Sequence, residues 1–148
     1  MAFRGQHEHS LDAKDRLTIP SRLRAQLAEG SVLVAGLDPC VEIWPSSGFT
    51  AFASQVLAGL NPLSGKARML RRRFHSQAED ETLDSAGRVR LAKHLIAHAD
   101  LAGPCIVVGA DDHLEVWSPE RWAEQSAEME AQAAAVAEEL AASDWPGA

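Results

Sequence analysis

The sequence predicts an α+β protein in which one small β-rich module occurs twice and a C-terminal helix follows. Three observations favour this fold class. A seven-residue motif recurs 72 positions later, runs of β-type residues alternate with short helical patterns, and the last part of the chain has helical periodicity. A chain of 148 residues can bury one core, or two small modules that share one, but not several independent domains.

The repeated motif defines the domain organisation. Leu11-Asp12-Ala13-Lys14-Asp15-Arg16-Leu17 returns as Leu83-Asp84-Ser85-Ala86-Gly87-Arg88-Val89. After one inserted residue the match resumes, since Gly36 corresponds to Gly109 and Glu42-Ile43-Trp44-Pro45 corresponds to Glu115-Val116-Trp117-Ser118. We expect a first repeat over residues 1–60, a basic connecting helix over 61–80, a second repeat over 81–118 and a C-terminal helix over 119–142.

Each module begins with two strands and a short helix. A short strand enters the Leu-Asp-x-x-x-Arg turn, and a second strand from Leu17 to Ile19 leads to Pro20. Proline suits the first turn of a helix because its missing N–H would be unpaired there anyway. The helix is predicted from Pro20 to about Ala28, with Leu23 and Leu27 on one apolar face and Gly30 placed to end it.

A β-hairpin closes each module. In the first, runs from Val32 to Ala35 and from Val41 to Trp44 flank Gly36-Leu37-Asp38-Pro39, which is typical of a turn. In the second, runs from Ile106 to Val108 and from Leu114 to Trp117 flank a turn that contains Asp111-Asp112. Aspartate is favoured in turns because its side chain hydrogen-bonds to the backbone, so this pair needs no catalytic role.

A helix follows each hairpin. The first has an apolar face formed by Phe49, Phe52, Val56 and Leu57. Asn61-Pro62-Leu63-Ser64-Gly65 then breaks the chain before a basic helix from Lys66 to about His75. The second hairpin leads through Ser118-Pro119-Glu120 into a helix from Pro119 to about Ala142.

The final helix carries an apolar stripe with alternating spacings of four and three. Its members are Trp122, Ser126, Met129, Ala133, Val136 and Leu140. The stripe packs either on a neighbouring subunit or on its own module, and its short, alanine-rich character favours the second. We expect Trp145 to Ala148 to be frayed.

The charge distribution is uneven. A net charge of −7 argues at first against a nucleic-acid partner. Residues 1–75, however, hold ten Lys or Arg against six Asp or Glu, a net charge of +4, whereas residues 76–148 hold four against fifteen, a net charge of −11. The first half can therefore present a basic face while the rest of the surface stays acidic.

The sequence lacks the apolar segments of membrane and secreted proteins. No run of about 18 apolar residues occurs, and the polar stretch from Met1 to Ser10 differs from a secretory signal. We expect a cytoplasmic, nucleoid-associated protein without a membrane partner. Cys40 and Cys105 form no C-x-x-C pair and fit a reducing compartment as free, space-filling thiols.

Arg16 is the first candidate for a DNA contact. Its planar guanidinium can bind a phosphate, or the O6 and N7 edge of guanine, with two hydrogen bonds. The alternative is that Arg16 pairs with Asp12 or Asp15 and only holds the turn. Arg88 is its repeat mate in the acidic half, and both interpretations are equally open for it.

Other cations flank Arg16 or form the connecting helix. Lys14 lies in the same turn, and Arg22 and Arg24 follow in the first helical turn, so all three could face one DNA backbone. The connecting helix is the densest basic patch and contacts either DNA or another subunit. Its cations are Lys66, Arg68, Arg71, Arg72 and Arg73. Three consecutive arginines spread around a helix, so we expect one of them to pair with a carboxylate.

Metal-binding and catalytic patterns are weak. His7 and His9 share a strand face, and His94 and His98 lie one helical turn apart, but neither pair has a third ligand at a diagnostic spacing. The sequence contains no nucleophile, phosphate-binding or dinucleotide-binding motif. We therefore predict no catalytic residue, no metal and no cofactor.

Two stretches of the sequence resemble the MraZ family. The first runs from His9 to Pro20 and is followed by Arg22 and Arg24, and the second joins the basic segment Lys66–Phe74 to the motif Leu83–Val89. The resemblance spans about residues 1–125. It implies a SpoVT/AbrB-like fold, in which interlocked β-hairpins form a small barrel and the two repeats act as a pseudo-dimer. It also implies ring-shaped homo-oligomers that bind tandem direct repeats in double-stranded DNA upstream of the division and cell-wall gene cluster.

The sequence departs from the family pattern at two places. Asp15 stands where the first motif of the family has glycine, although Gly87 keeps the glycine in the second motif. A turn that requires positive φ prefers glycine but tolerates aspartate, so the fold survives this change. The carboxylate of Asp15 would, however, weaken the local attraction for phosphate. The second helix starts with Leu91-Ala92 instead of the proline of the family.

These observations predict a sequence-specific DNA-binding transcriptional regulator, a repressor that acts as an oligomer. The main alternative is a protein-interaction module of the same fold, of the AbrB antitoxin type, with the C-terminal stripe as its partner site. Such antitoxins usually have one repeat and a disordered tail, whereas this sequence predicts two repeats and a helical tail. An enzyme built on the histidines is the third and weakest hypothesis.

Overall fold

A computed structural model of the chain describes residues 2–144, and the segment 145–148, expected to be frayed, lies outside the described residues. The strands are β1 Gln6–Ser10, β2 Arg16–Thr18, β3 Ser31–Ala35, β4 Val41–Pro45, β5 Ala78–Glu81, β6 Arg88–Arg90, β7 Pro104–Gly109 and β8 Leu114–Trp117. The helices are α1 Ser46–Leu57, α2 Gly65–Ser76, α3 Lys93–Ala99 and α4 Pro119–Asp144, and a 3₁₀ helix, Ser21–Leu27, follows β2. The protein is therefore α+β, with antiparallel sheets.

Strands of the two repeats are interleaved. Six strands form one antiparallel sheet in the order β1-β7-β8-β4-β3-β5, and β2 and β6 form a separate two-stranded ribbon. β1 of the first repeat pairs with β7 of the second, whereas β5 of the second repeat pairs with β3 of the first. Each repeat therefore completes the sheet of the other.

An approximate twofold axis relates the repeats. In the ribbon Leu17 pairs with its own repeat mate, Val89. In the large sheet Glu42 pairs with its mate, Glu115. Equivalent residues face each other across an antiparallel pair when a twofold axis passes between the strands. One chain thus contains the kind of contact that two identical subunits form in a symmetric dimer.

The main hydrophobic core draws on both repeats. Leu17 and Val89 of the ribbon are buried in the same cluster as Ile43 and Val116 of the large sheet. Burial of each such side chain stabilises the fold by about 1.5–3 kcal/mol. The ribbon is therefore anchored by its apolar side.

The hairpins predicted for both modules are confirmed by the β3–β4 and β7–β8 pairs. The helix predicted from Pro20 is a 3₁₀ helix. It begins with a hydrogen bond from the N–H of Leu23 to the carbonyl oxygen of Pro20, 2.9 Å, which is the i→i+3 pattern usual in short helical segments. The small barrel implied by the family resemblance is not observed. In the described residues no closed barrel is found, since β1 and β5 are the two outer strands of the six-stranded sheet.

The chain divides into two compact units, one ending at Ser118 and the other beginning at Pro119. In its described part the second unit is the helix α4. Met129, Val136 and Leu140 of the predicted stripe are 41%, 43% and 64% exposed. Residues 2–144 include no helix that is both long and apolar enough to cross a membrane.

Candidate nucleic-acid interface

Asp12 organises the turn between β1 and β2. Its Oδ1 accepts hydrogen bonds from the backbone N–H groups of Lys14, at 2.9 Å, and Arg16, at 3.0 Å. Its Oδ2 accepts the Nε–H of Arg16 at 2.8 Å. One carboxylate thus fixes both the backbone of the turn and the direction of the arginine side chain.

The second repeat builds the same turn with Asp84. This carboxylate accepts the backbone N–H groups of Ala86 and Arg88 at 3.0 and 2.8 Å and the Nε–H of Arg88 at 2.7 Å. The residue before each arginine has positive φ, 60° at Asp15 and 77° at Gly87. The departure from the family glycine at position 15 therefore leaves the turn geometry intact, because aspartate tolerates the left-handed region.

Each turn is fastened to the opposite repeat. The carbonyl oxygen of Gly87 accepts the N–H of Ile19, and the carbonyl oxygen of Asp15 accepts the N–H of Leu91, both at 2.9 Å. These two bonds extend the pairing of β2 with β6 at both ends. The two turns and the ribbon are therefore one connected structure.

The outer face of the ribbon is lined with arginine. Side chains alternate across a strand, and the central Leu17 and Val89 point into the core, so their neighbours project from the opposite side. We call this surface the arginine ribbon; its members are Arg16, Thr18, Arg88 and Arg90. The side chains of Arg16 and Arg88 are 29% and 34% exposed, and Arg90 is exposed.

The aspartates of the two turns are held in the ionised form. The pKa of Asp12 lies below its ordinary value, chiefly because the carboxylate accepts the backbone N–H of Arg16. Desolvation opposes this shift, whereas the guanidinium of Arg16 and the N–H of Lys14 add to it. The equivalent groups around Asp84 lower its pKa in the same way. The internal pairing considered for Arg16 is therefore present with Asp12. This ion pair involves Nε of Arg16. The two Nη groups make no hydrogen bond within residues 2–144, so they remain available to a ligand.

Arg24 borders the second turn and not the first. Its Nε–H donates to the carbonyl oxygen of Ile19 at 2.8 Å. The side chain of Arg24 lies over Gly87, where a Cβ atom would overlap it. A side chain at position 87 would therefore force Arg24 to move, and the positive φ at this position also favours glycine. From the sequence we expected Arg24 to join Arg16, but the twofold arrangement brings it beside Arg88.

Arg22 and Lys14 lie at different places. Nη2 of Arg22 is 3.4 Å from the carbonyl oxygen of Arg4 and 3.2 Å from Nε2 of His7, so this side chain borders the N-terminal segment. Lys14 is exposed in the first turn. The three cations expected to face one DNA backbone are therefore spread out, with Lys14 and Arg24 at the ribbon.

Two arginines of the basic helix α2 form hydrogen bonds within the protein. Arg73 donates from Nη1 to the carbonyl oxygen of Ala35 at 3.0 Å and from Nη2 to that of Gly36 at 2.9 Å. Its partners are backbone carbonyls, and not the carboxylate that was expected, because this face of α2 meets the end of β3. Arg68 donates to the carbonyl oxygens of the preceding loop.

Three other cations of α2 remain exposed. They are Lys66, Arg71 and Arg72. None of them makes a hydrogen bond or ion pair to another residue in the part of the chain that the structure describes. This part of α2 is thus accessible to DNA or to another subunit.

Arg90 is the residue that sequence reasoning missed. Its repeat mate is Thr18, so the internal repeat gives no signal at this position. The antiparallel register places it opposite Arg16. A signal was available in the alternation Arg88-Val89-Arg90, which predicts two arginines on one face of a strand.

His94 and His98 each contact a group in another part of the chain. Nε2 of His98 lies 3.0 Å from the carbonyl oxygen of Asp38, whereas Nδ1 of His94 lies 3.9 Å from Oε1 of Glu79. Burial and the neighbouring His7 lower the pKa of His9. None of these four histidines belongs to the potential metal-ligand cluster found among the described residues.

Comparison with known proteins gives a consistent family match. The family model described as "MraZ protein, putative antitoxin-like" matches residues 2–73 and again residues 74–143. Relatives named "Transcriptional regulator MraZ" include a protein of Symbiobacterium thermophilum, 40% identical over 92% of this chain and 98% of the relative. The protein of the same name from a Roseiflexus species is 39% identical over 94% and 96%. That of Limosilactobacillus fermentum is 40% identical over 82% and 84%.

Proposed function

Since this chain belongs to the MraZ family, we propose that it is a transcriptional regulator that binds double-stranded DNA through the arginine ribbon and the two turns beside it. The relatives that match most of the chain carry the name of a transcriptional regulator, and no enzyme family is indicated. The fold is a variant of the SpoVT/AbrB-like type, a proposal supported by the exchange of strands between the repeats.

The arrangement of arginines on the outer face of the β2–β6 ribbon is the main support for this proposal. The major groove of B-DNA is about 12 Å wide and admits a two-stranded β-ribbon. The ribbon has its apolar side packed on the core and three arginines on the other side. Because Asp12 and Asp84 hold the Nε side of Arg16 and Arg88, the Nη groups of these two arginines are oriented before DNA arrives.

The arginines of the ribbon and the cations beside it have different roles in the proposed DNA contact. Arg16 and Arg88 bind guanine edges or phosphates with their guanidinium groups. Lys14 in the first turn and Arg24 beside the second bind the phosphate backbone and fix the position of the ribbon. The first repeat supplies both of these flanking cations, so the DNA contact is asymmetric despite the twofold axis.

One ribbon alone makes a weak DNA contact. A few phosphate contacts give a dissociation constant of about 10⁻⁴ to 10⁻⁶ M at physiological salt. We therefore expect a homo-oligomer, in the form of a ring, that binds tandem direct repeats with several ribbons at once. From the family resemblance we expect these repeats upstream of the division and cell-wall gene cluster, with repression as the outcome and a nucleoid location for the protein.

Exposed side chains on two helices are candidates for the subunit contacts. On α4 they are the apolar Met129, Val136 and Leu140. On α2 Met69 is 66% exposed beside the unpaired cations. Native mass spectrometry at micromolar concentration should show a discrete species well above a dimer. A strict monomer would contradict multivalent binding.

The alternative of an antitoxin-type interaction module has less support. The family description includes the words antitoxin-like, but the curated relatives are named as transcriptional regulators. Two repeats share one sheet here, whereas a single-repeat antitoxin would need a second chain to supply the exchanged strands. DNA binding without a protein partner distinguishes the two functions.

A gel-shift experiment tests the proposal. The probe is the DNA upstream of the protein's own gene, and the control is the same DNA with its sequence scrambled. We expect a discrete complex with the upstream DNA at sub-micromolar protein, a weaker smear with the control, and loss of both as salt rises. Equal affinity for the two DNAs at every salt concentration would exclude sequence-specific regulation.

A further inference from the structure

Two carboxylates face each other at the place where the approximate twofold axis passes through the large sheet. Glu42 of β4 pairs with Glu115 of β8, and each side chain is only 19% exposed. Like charges directly opposite each other destabilise a strand pair, and burial increases the cost. This pair therefore needs a positive partner.

Two tryptophans orient these carboxylates. Nε1 of Trp44 donates to Oε1 of Glu42 at 3.0 Å, and Nε1 of Trp117 donates to Oε1 of Glu115 at 2.9 Å. The Oε2 atoms converge on His113, whose Nε2 lies 3.1 Å from Oε2 of Glu115 and 3.9 Å from Oε2 of Glu42. Three potential ligand atoms thus share one side of the sheet.

His113 is held in place from its other nitrogen. Nδ1 lies 2.8 Å from Oδ1 of Asp112, and the ring stacks on Trp44 with centroids 4.5 Å apart and planes inclined by 12°. A carboxylate on the second ring nitrogen is the arrangement that orients histidine ligands at metal centres and raises their basicity. His113 therefore has the environment of a metal ligand.

Cys40 is the repeat mate of His113 and approaches the same carboxylates. Its Sγ and one oxygen from each of Glu42 and Glu115 all lie within 4.8 Å of one another. The residue is 0% exposed, and its thiol makes no hydrogen bond to any residue in the range 2–144. A fully buried thiol directed at two carboxylates, with no other partner, indicates a ligand shared by the three groups.

We propose that Cys40, Glu42 and Glu115, whose donor atoms lie within 4.8 Å of one another, bind a divalent transition-metal ion. His113, which lies outside that group, becomes the fourth ligand when its ring moves toward Sγ of Cys40, and Zn²⁺ is the ion that the donor set fits best. Thiolate, imidazole and carboxylate are the three ligand types of zinc, which binds four of them tetrahedrally. Zn–S and Zn–O bonds of about 2.3 and 2.1 Å place neighbouring donors about 3.5 Å apart. The 3.1 and 3.9 Å separations around His113 lie on either side of this value. The donor atoms of Cys40, Glu42 and Glu115, which lie within 4.8 Å of one another, move closer together when the ion binds. The thiolate selects against Mg²⁺ and Ca²⁺.

Protons occupy the cluster when no ion is bound. Burial, followed by the charges of Glu115, Glu42 and Asp38, raises the pKa of the Cys40 thiol. Burial opposes a charged His113, but its hydrogen bonds to Glu115 and Asp112 and the charge of Glu42 raise its pKa to about 9. Without the ion, a protonated His113 offsets one of the two carboxylate charges. When one dication binds and the protons of His113 and Cys40 are released, the net charge of the cluster stays the same.

Titration with Co²⁺ tests the site. The full-length protein, reduced and without an affinity tag, is titrated while absorbance is followed. We expect one Co²⁺ per chain, a thiolate-to-cobalt charge-transfer band in the near ultraviolet and the visible bands of tetrahedral cobalt. Zn²⁺ should bleach these bands by displacement. Zn²⁺ at about a hundredfold excess over its dissociation constant should also raise the melting temperature by about 4 °C or more.

Matched variants identify the ligands. Cys40→Ser should abolish the charge-transfer band, whereas Cys105→Ser, which changes the other buried thiol, should keep it. His113→Gln should weaken Co²⁺ binding by about tenfold or more, with His98→Gln as its unchanged control. Glu115→Gln gives a second test if Cys40→Ser fails to fold. The proposal is overturned if the wild-type protein shows no charge-transfer band, if the band survives in a folded Cys40→Ser protein, or if a folded Glu115→Gln protein binds Co²⁺ as tightly as the wild type.

Discussion

Arg16 lies directly opposite Arg90 in the β2–β6 ribbon. Two like charges at paired positions destabilise a sheet. Arg16 is offset by an ion pair with Asp12 at 2.8 Å, whereas among the described residues Arg90 has only the longer-range attraction of Glu81. A phosphate bound between the two guanidinium groups would replace this repulsion with attraction. Under the proposed function, the opposed arginines would let a chain of net charge −7 bind DNA at this one surface.

Arg16→Ala should abolish specific DNA binding and leave the fold intact, because it removes an outward charge and no core atoms. The loss of operator affinity should exceed tenfold, since one bidentate contact contributes about 1–3 kcal/mol and is repeated across subunits. Fluorescence anisotropy with labelled upstream DNA measures it. Arg88→Ala should cost less, because Arg88 lies in the acidic repeat. Normal binding by the Arg16 variant would refute the assignment.

Arg90→Thr should weaken DNA binding while keeping the ribbon paired, since it copies the repeat mate Thr18. We expect affinity to fall for specific and non-specific DNA alike. The slope of log affinity against log salt should decrease by about one for each phosphate that position 90 no longer binds. The unchanged control is Val56→Thr on α1, which alters an exposed side chain away from the ribbon. An identical salt slope in the Arg90 variant and the wild type would place Arg90 outside the DNA interface.

Asp15→Gly and Gly87→Asp change equivalent positions of the two turns, but the first should affect DNA binding and the second the stability of the fold. Asp15→Gly removes a carboxylate beside Arg16 and should tighten DNA binding modestly at low salt, with the gain fading as screening increases. Gly87→Asp places a side chain where Arg24 lies, so Arg24 must give up its bond to Ile19. We expect a loss of about 1–2 kcal/mol in the free energy of unfolding, measured by urea denaturation. Equal stability of the two variants would contradict the packing of Arg24 over Gly87.

The turn aspartates should make folding depend on pH only under acidic conditions. Their pKa values are lowered in the folded protein, chiefly by backbone N–H groups of Arg16 and Arg88. Their stabilising contribution is therefore complete above the ordinary pKa of aspartate and is lost as the pH falls through the lowered folded value. An NMR titration of the carboxyl groups should show that Asp12 and Asp84 stay ionised at pH values below the ordinary pKa of aspartate. Asp12→Asn should remove the effect for the first turn alone.

Local sequence patterns predicted most of the helices and hairpins, whereas the pairing of strands far apart in the chain could not be predicted. The hairpins and the basic helix follow from periodicity and turn residues near each other in the chain. The pairing of β1 with β7 joins segments about 100 residues apart, so the repeat alone could not assign it. Arg90 was missed for the same reason, because its importance depends on the strand opposite. Cys40 and His113 gave no sequence signal as a pair, since only the twofold arrangement of the repeats brings both to Glu42 and Glu115.

Photo-crosslinking from the centre of the ribbon tests the central claim most directly. A benzophenone amino acid is placed at Thr18, opposite Arg88 on the outer face of the ribbon, and in a second protein at Val56 on α1. Irradiation with labelled upstream DNA should crosslink the Thr18 protein and leave the Val56 protein unlabelled, and competitor DNA of the same sequence should remove the signal. Crosslinking from Val56 with none from Thr18, in proteins that both still shift the DNA, would show that another surface binds it.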